Sequence, residues 1–282
     1  MPDIWVTATV LAKLALYLGI FGGAGTAIAR LVFRLQTHVR MARAFAILGL
    51  AAAVAGFLLR GAMLTGDASG LRDPQMLGLL WSTPIGTALI YQIAGLGVLI
   101  LGLSTGRTGL WLSVLGGVSA IWGLAYIGHI PDRQSWMLNA TLNLHLIAVA
   151  FWIGVLAPLY HLASAPQSHA KAARLGHRFG QMAAIAVPLL IIAGGYMAYV
   201  LVGSPEALYG TGYGRTLIAK IILVGALLTL ATANKLRFVP KLREGDPKAA
   251  SHLRNAIMLE ACVFLAILAL TAVLTSSQTL PG

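Results

Sequence analysis

The sequence predicts an all-α integral membrane protein with eight transmembrane helices, built as two four-helix repeats within one polytopic domain spanning 1–282. Three observations carry this. Apolar residues make up 58% of the 282 and charged residues only 10%, where soluble domains run at about 45–50% and about 25%. Mean hydropathy is +0.83. Apolar stretches of the roughly 20 residues that a helix needs to cross hydrocarbon recur along the chain, joined by connections too short for a soluble domain.

The elements follow in order. Residues 4–29 form the first crossing; this run is too long for a signal-peptide core, so no separate cleavable signal is expected. Further crossings are predicted at 42–65, 85–104, 109–130, 137–163, 179–203, 214–236 and 253–276. The loops after helices one, three, five and seven hold 14 of the 20 Lys and Arg residues; the alternate loops hold Arg72, Arg133 and Arg215. The positive-inside rule places the basic loops in the cytoplasm and both termini outside. Basic loops account for the net charge of +12, so the partner implied is a lipid bilayer and not nucleic acid. The single cysteine, Cys262, excludes an internal disulfide and a multi-cysteine metal cluster.

A repeat is legible. "TPIGTALIYQ" (Thr83–Gln92) and "TGYGRTLIAK" (Thr211–Lys220) share T-x-x-G-x-x-L-I at an offset of 128, each opening an inward-running helix. "YLGIF" (Tyr17–Phe21) and "WIGVL" (Trp152–Leu156) match more weakly at an offset of 135. Halves of about 1–130 and 131–282 follow, related by a pseudo-two-fold along the membrane normal as in parallel-repeat transporters. A local reading of the same residues is that threonine caps and glycine packs.

Ionisable groups inside a bilayer are functional hypotheses by default. Lys13, Arg60 and Lys220 fall in the outer half, whereas Glu260 lies roughly 9 Å from the cytoplasmic side at 1.5 Å per residue. Lys220 is therefore not expected to reach Glu260. His129 closes helix four, and His145 lies about two turns into helix five, below Asn139 and Asn143. Met63, Met76, Met137 and Met197 cluster at similar depth. Imidazole with thioether suits copper, so His129, His145, Met137 and Met197 are the candidate metal ligands. The alternatives are a helix–helix hydrogen bond for His145 and gap-filling for the methionines. In helix eight, Met258 and Cys262 share a face at i and i+4, a soft pair or ordinary packing. Glu260 either pairs with a neighbouring group or moves a proton.

"GHI" with His129, "NLHLIAVAFWIGVLAPL" with His145 and Trp152, "TGYGRTLIAKIILVGALLTLATANKLRFVPKL" and "LRNAIMLEACVFLAILALTAVLTSSQTLPG" resemble the CopD family of bacterial inner-membrane copper proteins. Tyr213 in T-x-Y-G, Lys220 six residues after the glycine, Asn234 at the end of helix seven and the pair Arg254 and Glu260 carry the match. It is good from about residue 125 onward and thinner before. The resemblance implies eight helices in the bacterial inner membrane, copper traffic between periplasm and cytoplasm, and a periplasmic CopC-like chaperone as partner. The isoleucine after His129 departs from the family's small residue, and no chaperone domain is fused.

No G-x-x-x-x-G-K-[ST] loop occurs and no loop accommodates an ATPase domain, so the chain reads as a non-enzymatic permease driven by a gradient, the membrane potential or a coupled ion. Two other readings stand beside it. One is a b-type haem or quinol redox protein, with His129 and His145 on the iron and Lys13, Arg60 and Lys220 near propionates. The other is an accessory subunit that binds copper without passing it.

Overall fold

The computed structural model describes residues 4–128, 135–246 and 248–278, which fold entirely as helices and turns. The long helices are α1 (Ile4–Phe33), α2 (Val39–Thr65), α4 (Pro84–Gly102), α5 (Gly106–Leu124), α6 (Trp136–Ser164), α7 (His169–Val202), α9 (Gly212–Ala233) and α11 (Ala249–Ser276). Short helices α3 (Pro74–Trp81), α8 (Pro205–Gly210) and α10 (Val239–Arg243) punctuate the connections, and a π-turn covers Asn234–Phe238.

Side-chain caps set several starts. The Asp73 carboxylate accepts the Gln75 and Met76 N–H groups ahead of Pro74, and the Ser204 hydroxyl accepts the Ala207 N–H ahead of Pro205. Thr83 and Thr211 do the same for α4 and α9. Such residues satisfy donors that a helix N-terminus leaves unpaired, and proline at N1 gives up an amide that has no partner there.

Among the described residues, seven helices are long and apolar enough to cross a membrane. The fourth crossing expected from sequence, 109–130, is shorter: the apolar helix runs Thr108–Leu124. At 1.5 Å per residue it spans about 26 Å, just under the hydrocarbon thickness of about 30 Å. The chain then turns through Gly128 at φ +107°, a backbone conformation suited to glycine. Another departure is α7, which starts at His169, ten residues before the apolar window at 179. Its first turns are amphipathic, with Ala172, Ala173 and Leu175 buried while Lys171, Arg174 and His177 stay on the polar side.

Close backbone contact through glycine assembles the bundle. A Cβ on Gly25 of α1 would fall 1.9 Å from the Ala150 carbonyl oxygen of α6, and one on Gly154 would fall 2.0 Å from the Gly25 carbonyl carbon. The Gly19–Gly49 contact joins α1 to α2 and the Gly95–Gly116 contact joins α4 to α5 in the same way. Lipid tails are as apolar as leucine, so helices gain by approaching closely enough for dispersion contacts, which small residues permit. Among the described residues two large apolar cores and one small one result. Of the large cores, one is drawn mainly from α1, α2, α4 and α5 around Ile20, Phe21, Leu96, Leu99 and Ile121. The other is drawn mainly from α6, α7, α10 and α11 around Val155, Leu159, Leu253 and Ile257.

Candidate functional site

Polar groups inside the second helix group line up along α6. Its N-terminal turn is capped by the Ser135 hydroxyl, which accepts the Leu138 N–H. One turn in, the Asn143 side-chain amide donates to the Asn139 carbonyl at 2.9 Å. Among the described residues the side-chain oxygens of both asparagines are buried without a hydrogen-bond partner, as is His145 Nδ1. A buried acceptor without a donor costs about 1–3 kcal/mol, so the two asparagine oxygens call for an explanation in function.

The His145 ring faces α7. Gly194 lies against it, with a hypothetical Cβ 3.7 Å from Cε1 and 4.0 Å from Nδ1. The Leu190 backbone flanks the ring, and Lys220 of α9 lies within electrostatic reach. The neighbouring Gly195 has no atom within 4 Å of where its Cβ would stand.

Seven residues further along α6, on the same helical face and about 10 Å down the axis, Trp152 Nε1 donates to Glu260 Oε2 at 3.3 Å. Asn234 Nδ2 donates to Glu260 Oε1 at 2.5 Å. Glu260 is 2% exposed, and its partners are these two neutral donors; neither Lys220 nor Arg254 bonds to it. The chain delivers Asn234 to this point at the start of the π-turn, an irregularity common at functional sites. Asn234 and Glu260 both border a cavity of about 370 Å³ between α6, α7, α9 and α11, which extends past Gly176 and Gly180 toward Lys235. Pro188, inside α7, lies on its wall.

The remaining candidates fall elsewhere. His129 lies outside the described residues. Met137 is exposed at the start of α6 and Met197 is half-buried on α7. Met258 and Cys262 are both exposed on α11, so this soft pair points away from the bundle interior. Tyr213 is buried in the first turn of α9, packed with Val202 and Leu274. Among the described residues no three His, Cys, Asp or Glu side chains converge on a metal-sized site.

Sequence reasoning did not foresee the Trp152–Glu260 bond, since an indole in an apolar stretch gives no sign of where its N–H points. Nor does the sequence single out His38 and His161, which the fold brings together. His38 Nε2 lies 3.3 Å from His161 Nδ1, and the Thr37 hydroxyl fixes the other His38 nitrogen at 2.6 Å. Burial first, then the charges of His161 and Arg30, hold the His38 imidazole below its ordinary pKa of 6.5.

Comparison with known proteins bears on the whole chain. The family model for the copper resistance protein D-like N-terminal domain matches residues 1–138, and the one for copper resistance protein D matches residues 173–274. Inner membrane protein YebZ of Escherichia coli (strain K12) is 25% identical over 258 residues, covering 89% of this chain and 86% of the relative. Copper resistance protein D of Pseudomonas syringae pv. tomato is 27% identical over 252 residues, covering 81% and 80%. No solved structure matches. With both family models matched in order along a bundle of apolar helices, the chain belongs to the CopD family of multi-pass inner-membrane copper resistance proteins.

Proposed function

We propose that this chain carries copper across the inner membrane, from periplasm to cytoplasm, through the second helix group. The observation that carries the reading is His145: an imidazole inside a membrane helix whose buried Nδ1 has no hydrogen-bond partner among the described residues, at the head of a polar line that ends in a cavity. Asn139 and Asn143 stand at the entrance side, and Trp152, Glu260 and Asn234 stand at the head of the 370 Å³ cavity. Imidazole accepts either copper oxidation state, and the thioethers of Met137 and Met197 favour Cu(I) on the approach. His129, one loop away in sequence, is the second imidazole of this reading.

Lys220 tunes the site. Its ammonium lies within electrostatic reach of the His145 ring, so a copper ion and the lysine charge oppose one another. Transport needs binding strong enough to admit an ion and weak enough to release it. A cation beside the ligand supplies that weakness. Glu260 follows as the next stop, or as the carrier of a counter-ion.

The same reading takes Thr108–Leu124 as an eighth crossing and puts both termini in the periplasm. A CopC-like chaperone would then deliver copper at the periplasmic end of α6, above Asn139 and Asn143. One observation supports a two-fold relation between four-helix halves: in each, a short proline-started helix precedes a threonine-capped long one.

Copper uptake into proteoliposomes tests the proposal. His145→Ala and His129→Ala should each abolish copper binding and uptake while insertion persists; Met137→Ala and Met197→Ala should reduce uptake less. If both histidine variants transport like the parent, the site assignment fails. Binding without flux in the parent makes the chain an accessory subunit, and a Soret band in the purified protein makes it a haem protein.

A further inference from the structure

Near the end of the bundle where α1 begins, α1, α2 and α4 border a second, partly open cavity of about 30 Å³. Its polar lining is Thr9, Lys13, Arg60 and Gln92, with no carboxylate among the residues that border it. Gln92 is 2% exposed and Thr9 7%, and among the described residues neither Gln92 Nε2 nor the Thr9 hydroxyl has a hydrogen-bond partner. Lys13 donates one hydrogen to the Thr275 carbonyl at 2.8 Å and, when protonated, has two more N–H bonds to give. Arg60 makes no hydrogen bond among the described residues, and it acts electrostatically on Lys13 and Tyr17.

Donors therefore dominate the lining. A guanidinium cannot shed its proton in a protein, so Arg60 brings a fixed positive charge into a membrane segment. Water alone would satisfy hydrogen bonds but leave that charge uncompensated. An anion satisfies both.

We propose that Thr9, Lys13, Arg60 and Gln92 form a binding site for one small inorganic anion, for which chloride and bromide are the probes. The cavity, about 30 Å³, exceeds the roughly 10–15 Å³ that one water-sized occupant needs. The site lies in the first helix group, apart from His145 and Glu260, and holds whether or not the chain transports copper. Asp132, in the 129–134 segment outside the described residues, is the rival counter-charge that the experiment must separate.

The test is thermal unfolding of the whole protein in lipid nanodiscs, with gluconate exchanged for chloride or bromide at constant ionic strength. The site predicts a saturable rise in Tm of about 3 °C or more with either halide, together with about one bromide bound per chain by X-ray absorption. Gln92→Leu, close in volume, should raise the half-saturating halide concentration about tenfold through one lost donor. Arg60→Gln should abolish the response, and Arg215→Gln, at an exposed arginine, should leave it unchanged. Equal Tm in halide and gluconate overturns the proposal, as does a response that survives unchanged in both Gln92→Leu and Arg60→Gln. A response absent from the parent and present only in Asp132→Asn assigns the counter-charge to Asp132 and also overturns it.

Discussion

Replacing Glu260 with alanine tests how far a buried carboxylate organises the second helix group. The side chain is 2% exposed and accepts from Trp152 Nε1 and Asn234 Nδ2. These bonds tie α6 and the end of α9 to α11. Alanine leaves both donors facing apolar neighbours, Trp152 being packed edge-on against Phe264 and Phe179. Each stranded donor costs about 1–3 kcal/mol, for a total of about 2–6 kcal/mol before any rearrangement. For a chain of this size each kcal/mol moves the midpoint by about 2–4 °C, so Glu260→Ala should melt at least about 4 °C below the parent in nanodiscs. Glu260→Gln keeps an acceptor for one donor and should recover about half of the loss. Intrinsic tryptophan emission should shift in the alanine variant, because the indole N–H changes partner. A Glu260→Ala protein that melts within about 1 °C of the parent refutes the reasoning, and stability then does not depend on these bonds. If Gln restores stability but not copper uptake, the carboxylate charge has a second role.

Three further outcomes are expected. On the proposed orientation, with the basic loops in the cytoplasm, a phosphatase fused after Gly282 should be active; activity of a cytoplasm-only reporter there would reverse the orientation. Gly25→Leu should cost at least about 1–3 kcal/mol by overpacking, since its Cβ alone would fall 1.9 Å from the Ala150 carbonyl oxygen, whereas Gly56→Ala, with nothing within 4 Å of its Cβ, should be neutral; equal melting of the two would remove the α1–α6 crossing as a structural requirement. His38 titrates below its ordinary value of 6.5, so the unfolded chain takes up the proton first as pH falls and stability drops below about pH 6.5; His38→Gln should flatten that part of the stability–pH curve, and an unchanged curve would count against it.

What the sequence makes legible follows from how strong each signal is in a bilayer. The membrane class and the long helices are plain because a crossing demands about 20 apolar residues. The amphipathic extension of α7 from His169 is not: its apolar residues recur with helical period among lysines and arginines, and an apolar window averages them away. The short helices α3 and α8 escape for a similar reason, being six to eight residues of mixed character. Within the site, the depth order of His145, Trp152 and Glu260 is readable by counting 1.5 Å per residue, and so is the separation of Lys220 from Glu260. Partnerships are not readable. Asn234 reaches Glu260 through a π-turn, and no residue between 234 and 238 spells an extra residue per turn.

The T-x-x-G pattern shows why local chemistry and duplication need not compete. Thr83 Oγ1 accepts the Ile85 N–H, and Thr211 Oγ1 accepts the Gly214 N–H. The glycines pack in the same manner: a Cβ on Gly86 would fall 2.1 Å from the Trp81 carbonyl oxygen, and one on Gly214 would fall 2.2 Å from that of Leu208. Trp81 and Leu208 both belong to the short helix just before, so each glycine admits a short helix folded back on the start of a long one. A capping signal alone requires the threonine but not that helix. Further along, Gln92 and Lys220 hold the same place in the pattern. Gln92 borders the cavity of the first helix group, and Lys220 lies within reach of His145 in the second. On the duplication reading, one ancestral position with a polar side chain accounts for both; independent capping accounts for neither. If the halves arose by duplication, overlaying α3–α4 on α8–α9 should bring Gln92 onto Lys220 with no sequence information used. An overlay that leaves them on opposite faces returns the pattern to local chemistry.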